Sequence, residues 1–235
     1  MTSIFFSDFA LSFEFINWER GAIGYEFALM NAEEEEKPLI LYFHMDPSTW
    51  SEKMNKNYLA AYEVDEFLMD IPKAEINPDD GPEEEKLAAK FQVESYPAFF
   101  LSIPSFNSKP QRVHPFSKDH DMTINEFLQT IKKLLASPYN KKAYAHFEKK
   151  EYEEALGYFK KALDFDPESA YTHYAAGIAY RYIALEKNDL EFLKNAEESY
   201  LKALEIEPEH KECKGELEKL QKDMAKMGIK SKIRK

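Results

Sequence analysis

The spacing of apolar and polar residues changes along this chain near residue 136. Before that point, short apolar runs of strand length alternate with segments of helical spacing. After it, helical spacing continues almost to the end. The pattern predicts strands at 38–44, 72–77, 98–103 and 112–115, and helices at 18–36, 46–69, 82–91 and 122–136. We therefore expect an α/β domain at 1–136 and an all-helical domain at 137–235.

A start signal precedes the second of these helices. Asp46 is a suitable N-cap acid, and Pro47 suits the first helical position, where its missing N–H costs nothing. The helix is therefore expected to begin at Asp46 and to carry Ser48 and Ser51 in its first turn.

The helical part contains an internal repeat that becomes visible when Pro167 is aligned with Pro208. Small and aromatic residues then coincide, with Ala155, Phe159 and Ala162 matching Ala196, Tyr200 and Ala203. This part resembles tetratricopeptide repeats, which have a period of 34, an A-x3-F pattern and a terminal proline. The 41-residue spacing of the two prolines equals that period plus a seven-residue insertion around 186–192. The resemblance implies two repeats, at about 138–167 and 170–208, followed by a C-terminal capping helix.

The first part resembles a thioredoxin-like domain of a bacterial branch. Trp18 precedes the strand KPLILYF at 37–43, and the segment VESYPAFF at 93–100 matches one in which the proline is cis. In that branch the strand leads into a motif of the type D-W-C-x-W-C-K-K-M, and this chain reads D-P-S-T-W-S-E-K-M at 46–54. The positions that fit are Asp46, Trp50, Lys53 and Met54. Ser48 and Ser51 stand where the family has its two redox cysteines.

These replacements remove the chemistry that the fold usually performs. Thiol–disulfide exchange needs a thiolate, and a helix N-terminus does not make a serine hydroxyl an equivalent nucleophile. The family's buried acid would fall at Tyr42, and Glu52 stands where a lysine is common. We expect a redox-inactive domain with no catalytic residue. The alternative is a disulfide oxidoreductase or isomerase whose cysteines at positions 48 and 51 were replaced by engineering.

Both resemblances imply candidate peptide-binding grooves. In the thioredoxin-like domain the candidates are Pro47, Trp50, Tyr96 and Pro97. In the repeats they are Asn140, Tyr144, Phe147, Tyr171, Tyr174, Ile178 and Arg181. Aromatic side chains suit peptide recognition because they combine large apolar faces with polar edges. Purely structural roles remain open for Pro97 in folding and for Trp50 in packing. The basic clamp for carboxyl-terminal tails is absent, since Tyr144 and Ala175 occupy positions where it needs Asn.

Composition narrows the function classes. The net charge of −12 argues against a nucleic-acid partner, because phosphate neutralisation needs clustered Lys and Arg. Residues 1–136 hold 24 acidic and 12 basic residues, whereas 137–235 hold 19 of each. A protein or peptide partner that docks on the first domain by electrostatic steering would therefore be basic, and an acidic surface that serves solubility alone is the alternative. Only seven glycines are present, and neither a phosphate-binding loop nor a zinc spacing is found, so no cofactor or metal is expected.

The same sequence predicts no membrane span and no signal peptide. A cytoplasmic location is therefore expected, and export with a trimmed signal is the alternative. The single cysteine, Cys213, forms no intrachain disulfide and is expected to be a small packing residue in the capping helix. The prediction from sequence is a redox-inactive adaptor or chaperone-like binder of proteins. The oligomeric state is not determined.

Overall fold

The computed structural model describes residues 17–117, 119–229 and 231. The chain divides into two compact units, Met1–Ser105 with Arg112–Ile124, and Phe106–Gln111 with Asn125–Lys235. This division comes earlier than the change of pattern near residue 136. The reason is that one helix runs from Ile124 to Glu148 and passes through Pro138. A proline inside a helix removes one backbone N–H donor, and this helix continues despite that loss.

The first unit is built on a five-stranded mixed sheet in the order β1-β3-β2-β4-β5. The strands are β1 (Glu19–Arg20), β2 (Leu39–Phe43), β3 (Lys73–Ile76), β4 (Ala98–Ser102) and β5 (Gln111–Val113). β3 lies parallel to β1 and β2, whereas β4 is antiparallel to β2. Every residue of β2 is buried, as expected for a central strand covered on both faces. This is the thioredoxin-like fold, and the two-residue strand β1 was not predicted.

The helices of this unit are α1 (Gly21–Glu34), α2 (Thr49–Met54), α3 (Tyr62–Leu68) and α4 (Pro82–Lys90). The single helix predicted from Asp46 to about residue 69 is wrong. A π-helical segment (Asn55–Leu59) follows α2, and Ala61 is extended before α3 begins. The start was also misplaced, because Ser48 rather than Asp46 is the N-cap of α2.

The second unit is all-helical, with α5 (Ile124–Glu148), α6 (Tyr152–Phe165), α7 (Ala170–Lys187), α8 (Leu190–Ile206) and α9 (Lys211–Lys226). The end of α5 and α6 form the first helical pair, α7 and α8 form the second, and α9 follows as the predicted capping helix. Small residues permit close packing between helices. A Cβ atom added to Gly177 of α7 would lie 2.6 Å from the ring of the fully buried Tyr200 of α8.

Candidate peptide-binding groove

The start of α2 carries Ser48 and Ser51, the two positions at which the sequence resemblance predicts redox cysteines. Here the Ser51 backbone N–H donates to Ser48 Oγ at 3.3 Å, so Ser48 caps the helix. The Ser51 hydroxyl is buried and accepts a hydrogen bond from the Met45 backbone N–H at 3.3 Å. Both serines therefore have structural partners.

Tyr42 lies behind α2 on the central strand. Its hydroxyl donates to Asn55 Oδ1 at 2.6 Å and to the Ser51 carbonyl at 3.3 Å. The side chain is fully buried, and burial raises the pKa of Tyr42 well above its usual value. Tyr42 is therefore a neutral hydrogen-bond donor that contacts the backbone of α2 and the residue after it.

A buried acid is nevertheless present one strand away. Glu75 on β3 is the register partner of Tyr42. Its carboxylate is held by Arg20 Nε at 2.8 Å, yet burial raises the pKa of Glu75 above its ordinary value. Sequence analysis missed this acid, because the only signal was a charged residue within a short apolar strand.

His44 completes a titratable cluster at the end of β2. Its ring stacks on Tyr42 with centroids 5.3 Å apart, and its Nδ1 lies 3.3 Å from Asp46 Oδ2. Burial lowers the pKa of His44 below its usual value, although the neighbouring Asp46 carboxylate opposes that shift. His44 is thus a buried residue directly after β2.

A surface cavity of about 590 Å³ lies beside this region and brings together three of the four predicted groove residues. Trp50 from α2 and Tyr96 and Pro97 from the loop before β4 line it. Pro47 is exposed and is not among its lining residues. The peptide bonds before Pro47 and Pro97 are both cis.

Aromatic packing defines one wall of this cavity, which we call the Trp50 groove. The Trp50 ring is 50% exposed and packs on Phe116 with centroids 5.2 Å apart. Lys53 Nζ lies 5.1 Å from each of these two ring centroids and forms an ion pair with Asp121. Phe116 was not predicted, because it lies in a loop and belongs to no motif.

Arg112 on β5 holds the loop on the other side of the groove. Its Nη2 donates to the Ser95 carbonyl at 2.7 Å, to Ser95 Oγ at 3.0 Å and to the Pro97 carbonyl at 3.3 Å. The groove is therefore a preformed site, with an exposed indole on one wall and a clamped loop on the other.

The predicted groove of the helical unit differs, because most of its side chains are already engaged. Asn140 and Thr172 exchange hydrogen bonds at 2.9 and 3.2 Å. Tyr144 packs edge-on against Phe159, and burial raises its pKa strongly. Phe147 packs against Tyr152 and Tyr182.

The second half of the same predicted groove is closed by the capping region. Tyr174 packs against His210, and Ile178 packs beside the core around α9. Arg181 pairs with Glu216 at 2.5 Å and lies 3.7 Å from Asp223. Among the seven predicted residues, Tyr171 is the most exposed, at 55%.

The helical unit has a cavity of about 600 Å³ elsewhere, between α6, α7 and α8. None of the seven predicted residues lines it. Its polar lining includes Lys160, His173, Tyr180, Asn195, Glu198 and Lys202. This cavity was not predicted, because its residues lie on three helices and match no motif.

The lone thiol is far from nucleophilic. Cys213 is fully buried in α9, its Sγ lies 3.4 Å from the Tyr200 carbonyl, and burial raises its pKa to about 11. Within the described residues, no cluster of His, Cys, Asp and Glu is placed to hold a metal ion. No helix in that part of the chain is long and apolar enough to cross a membrane.

The sequence was compared with models of known families and with curated proteins. Residues 136–169 match the family model for the tetratricopeptide repeat. No curated protein matches the chain.

Several solved structures match about half of this chain or less. A thioredoxin from Thermus thermophilus is 22% identical, with 51% of this chain and 88% of that chain covered and a TM-score of 0.40. The C-terminal domain of DsbD from Neisseria meningitidis is 19% identical, with coverage of 43% and 89% and a TM-score of 0.37. The first TPR domain of human RPAP3 is 23% identical, with coverage of 39% and 93% and a TM-score of 0.22.

Similarities this distant do not identify an activity or a ligand. The sheet order, the helical pairs and the matching family model are direct features of this chain. The chain therefore combines a thioredoxin-like fold with tetratricopeptide repeats.

Proposed function

We propose that this protein binds extended segments of other proteins in the Trp50 groove and performs no thiol–disulfide chemistry there. The observation that carries the proposal is the convergence of Trp50, Tyr96 and Pro97 on one cavity whose neighbouring helix start holds serines. The site thus has side chains that can bind a peptide but no cysteine that could perform thiol chemistry.

The groove has the properties that peptide binding requires. An exposed indole next to Phe116 offers apolar area that a ligand can cover, and aromatic anchors of this kind dominate binding energies. Because Arg112 holds the loop from Ser95 to Pro97, little ordering is needed on binding.

A redox cycle of the two-cysteine type needs both cysteines at one site, and the chain has one cysteine in total. Cys213 belongs to the helical unit, and its raised pKa keeps it protonated at neutral pH. The redox-inactive interpretation therefore rests on the composition as well as on the motif.

The competing candidate is an oxidoreductase or isomerase whose cysteines at positions 48 and 51 were replaced. One observation favours it: Glu75, which is largely buried and has a raised pKa, lies beside Tyr42, the position at which the resemblance places the family's buried acid. Cysteine codons at these positions in the natural gene would establish this candidate. Serine codons there would support the binding function.

The repeats extend the proposal to a second surface. Tetratricopeptide repeats are protein-interaction elements, and Tyr171 is the predicted groove residue most available to a partner. We place this adaptor in the cytoplasm and expect partners of the first unit to be basic, given where the negative charge lies.

The test is a binding titration with ribonuclease A that has been reduced and carbamidomethylated, which is a permanently unfolded basic chain. We expect the wild-type protein to bind it and Trp50→Ala to bind at least fivefold more weakly. Tyr62→Ala, at an exposed position on α3, is the matched control and should bind like the wild type. Equal binding by Trp50→Ala and wild type would refute the groove, and Tyr174→Ala then tests the repeats as the alternative surface.

A further inference from the structure

Helix α1 has two apolar faces, and in the described part of the chain only the inner face is covered. Its inner face contributes Gly24, Tyr25, Ala28 and Ala32 to the buried core of the first unit. Its outer face carries Ile23, Phe27 and Met30, which are 74%, 53% and 54% exposed.

These three residues are spaced i, i+4 and i+7, so they form one stripe along the helix. A helix on the surface of a soluble protein ordinarily places polar residues on its outer face. A contiguous apolar stripe that is rimmed by polar residues marks an interaction site rather than ordinary exposure.

The rim of this stripe is acidic. Glu26 lies three residues after Ile23 and four before Met30, and Glu33 and Glu34 follow Met30 by three and four residues. All three glutamates are therefore neighbours of the stripe on the helix surface. Within the described part of the chain, no Lys or Arg forms an ion pair with any of them.

We propose that the outer face of α1 binds an amphipathic helix of a partner protein that has an apolar stripe flanked by Lys or Arg. The apolar residues supply the area to be buried, and the unpaired glutamates select the charge of the partner. A helix is favoured as the partner element because its apolar spacing matches that of α1 over two turns.

The negative charge of the three glutamates favours a basic partner helix over a second copy of this chain. A second copy would bring together two faces that each carry Glu26, Glu33 and Glu34, and the excess of negative charge between them opposes association. The site is separate from the Trp50 groove, since no residue of α1 lines that cavity. A partner could therefore engage α1 whether or not the groove binds peptides.

The test uses two synthetic helical peptides with the same leucine stripe, one flanked by lysines and one by glutamates. Binding to the full-length protein is measured by fluorescence anisotropy at low and high salt. The lysine-flanked peptide should bind at least tenfold more tightly than the glutamate-flanked peptide, and salt should weaken its binding.

The variant is Phe27→Ser with Met30→Ser, at positions already exposed, so the fold should be retained. It should bind the lysine-flanked peptide at least tenfold more weakly than the wild type. The matched control is Met69→Ser, which is 55% exposed in the same unit and should have no effect.

Equal binding by the double variant and the wild type would overturn the proposal, as would equal binding of both peptides. A wild-type dimer that the double variant abolishes would assign the face to a second copy instead. Binding that appears only after removal of residues 1–16 would assign it to the protein's own N-terminal segment, and also counts against the proposal.

Discussion

Two surfaces were predicted to bind peptides, and their side chains differ in how far they are engaged by neighbouring residues. In the first unit, three of the four predicted residues line one open cavity, and Trp50 presents half of its surface to solvent. In the helical unit, Asn140, Tyr174 and Arg181 are engaged by neighbouring helices. The cavity of that unit lies among other residues.

The difference shows that a family's binding positions can be occupied by residues that serve the fold. A polar side chain that already has a hydrogen-bond or ion-pair partner has fewer donors and acceptors left for a ligand. Trp50 has neighbours in Phe116 and Lys53, and half of its surface is still exposed to solvent. Substitutions in the helical groove should therefore cost stability, and substitution of Trp50 should cost binding.

The largest effect is expected at the centre of the helical unit. Tyr200→Ala removes a fully buried ring that packs against Tyr174 and fills the space beside Gly177. The free energy of unfolding should fall by about 3–5 kcal/mol. Chemical denaturation followed by circular dichroism measures this loss, and a loss below about 1 kcal/mol would mean that the repeats are not packed as described.

A smaller loss of stability is expected at the predicted groove itself. Arg181→Met leaves Glu216 and Asp223 without their partner from α7, and Arg181 and Glu216 are both only 25% exposed. The free energy of unfolding should fall by about 1–2 kcal/mol, which is between the values for exposed and buried pairs.

The matched control is Lys187→Met, which breaks the exposed pair between Lys187 and Glu153. It should change stability by less than about 0.5 kcal/mol. Equal losses of unfolding free energy in Arg181→Met and Lys187→Met would mean that the ion pairs of Arg181 do not stabilise the fold.

Some features of the two units were predicted from the sequence, and others were not. The fold of both units followed from strand-length runs, the repeat spacing and the resemblances. The start of α2 was misplaced because Asp46 and Ser48 are both competent caps, and only the tertiary course of the chain decides between them. Glu75 and Phe116 were missed because their importance comes from neighbours distant in sequence.

Trp50→Ala should weaken ligand binding more than it lowers stability, whereas the helical-groove variants should mainly lower stability. The ring is half exposed, so its removal should change the free energy of unfolding by less than about 1 kcal/mol. The expected fivefold loss in binding corresponds to about 1 kcal/mol of binding free energy. A large loss of stability, measured by the same denaturation experiment, would make Trp50 a packing residue.

The weakest expected effect is a pH dependence of the first unit. Since burial lowers the pKa of folded His44, the unfolded chain takes up this proton first, and stability should fall as pH drops below about 6.5. Glu75, with its raised pKa, opposes this, because the folded state takes up its proton first.

His44→Gln isolates the histidine contribution. The decline in unfolding free energy between pH 7.5 and 5.5, measured by urea denaturation, should be shallower in the variant than in the wild type. Parallel curves would show that His44 does not titrate differently in the folded and unfolded states.

The central claim is that ligands bind against Trp50, and the fluorescence of this residue tests it most directly. The chain has two tryptophans, and Trp18 is buried, so Trp18→Phe leaves Trp50 as the single reporter. Addition of the unfolded, carbamidomethylated ribonuclease A should shift the Trp50 emission to the blue as the exposed half of the ring is covered. Binding of that chain without any change in Trp50 emission would contradict the account.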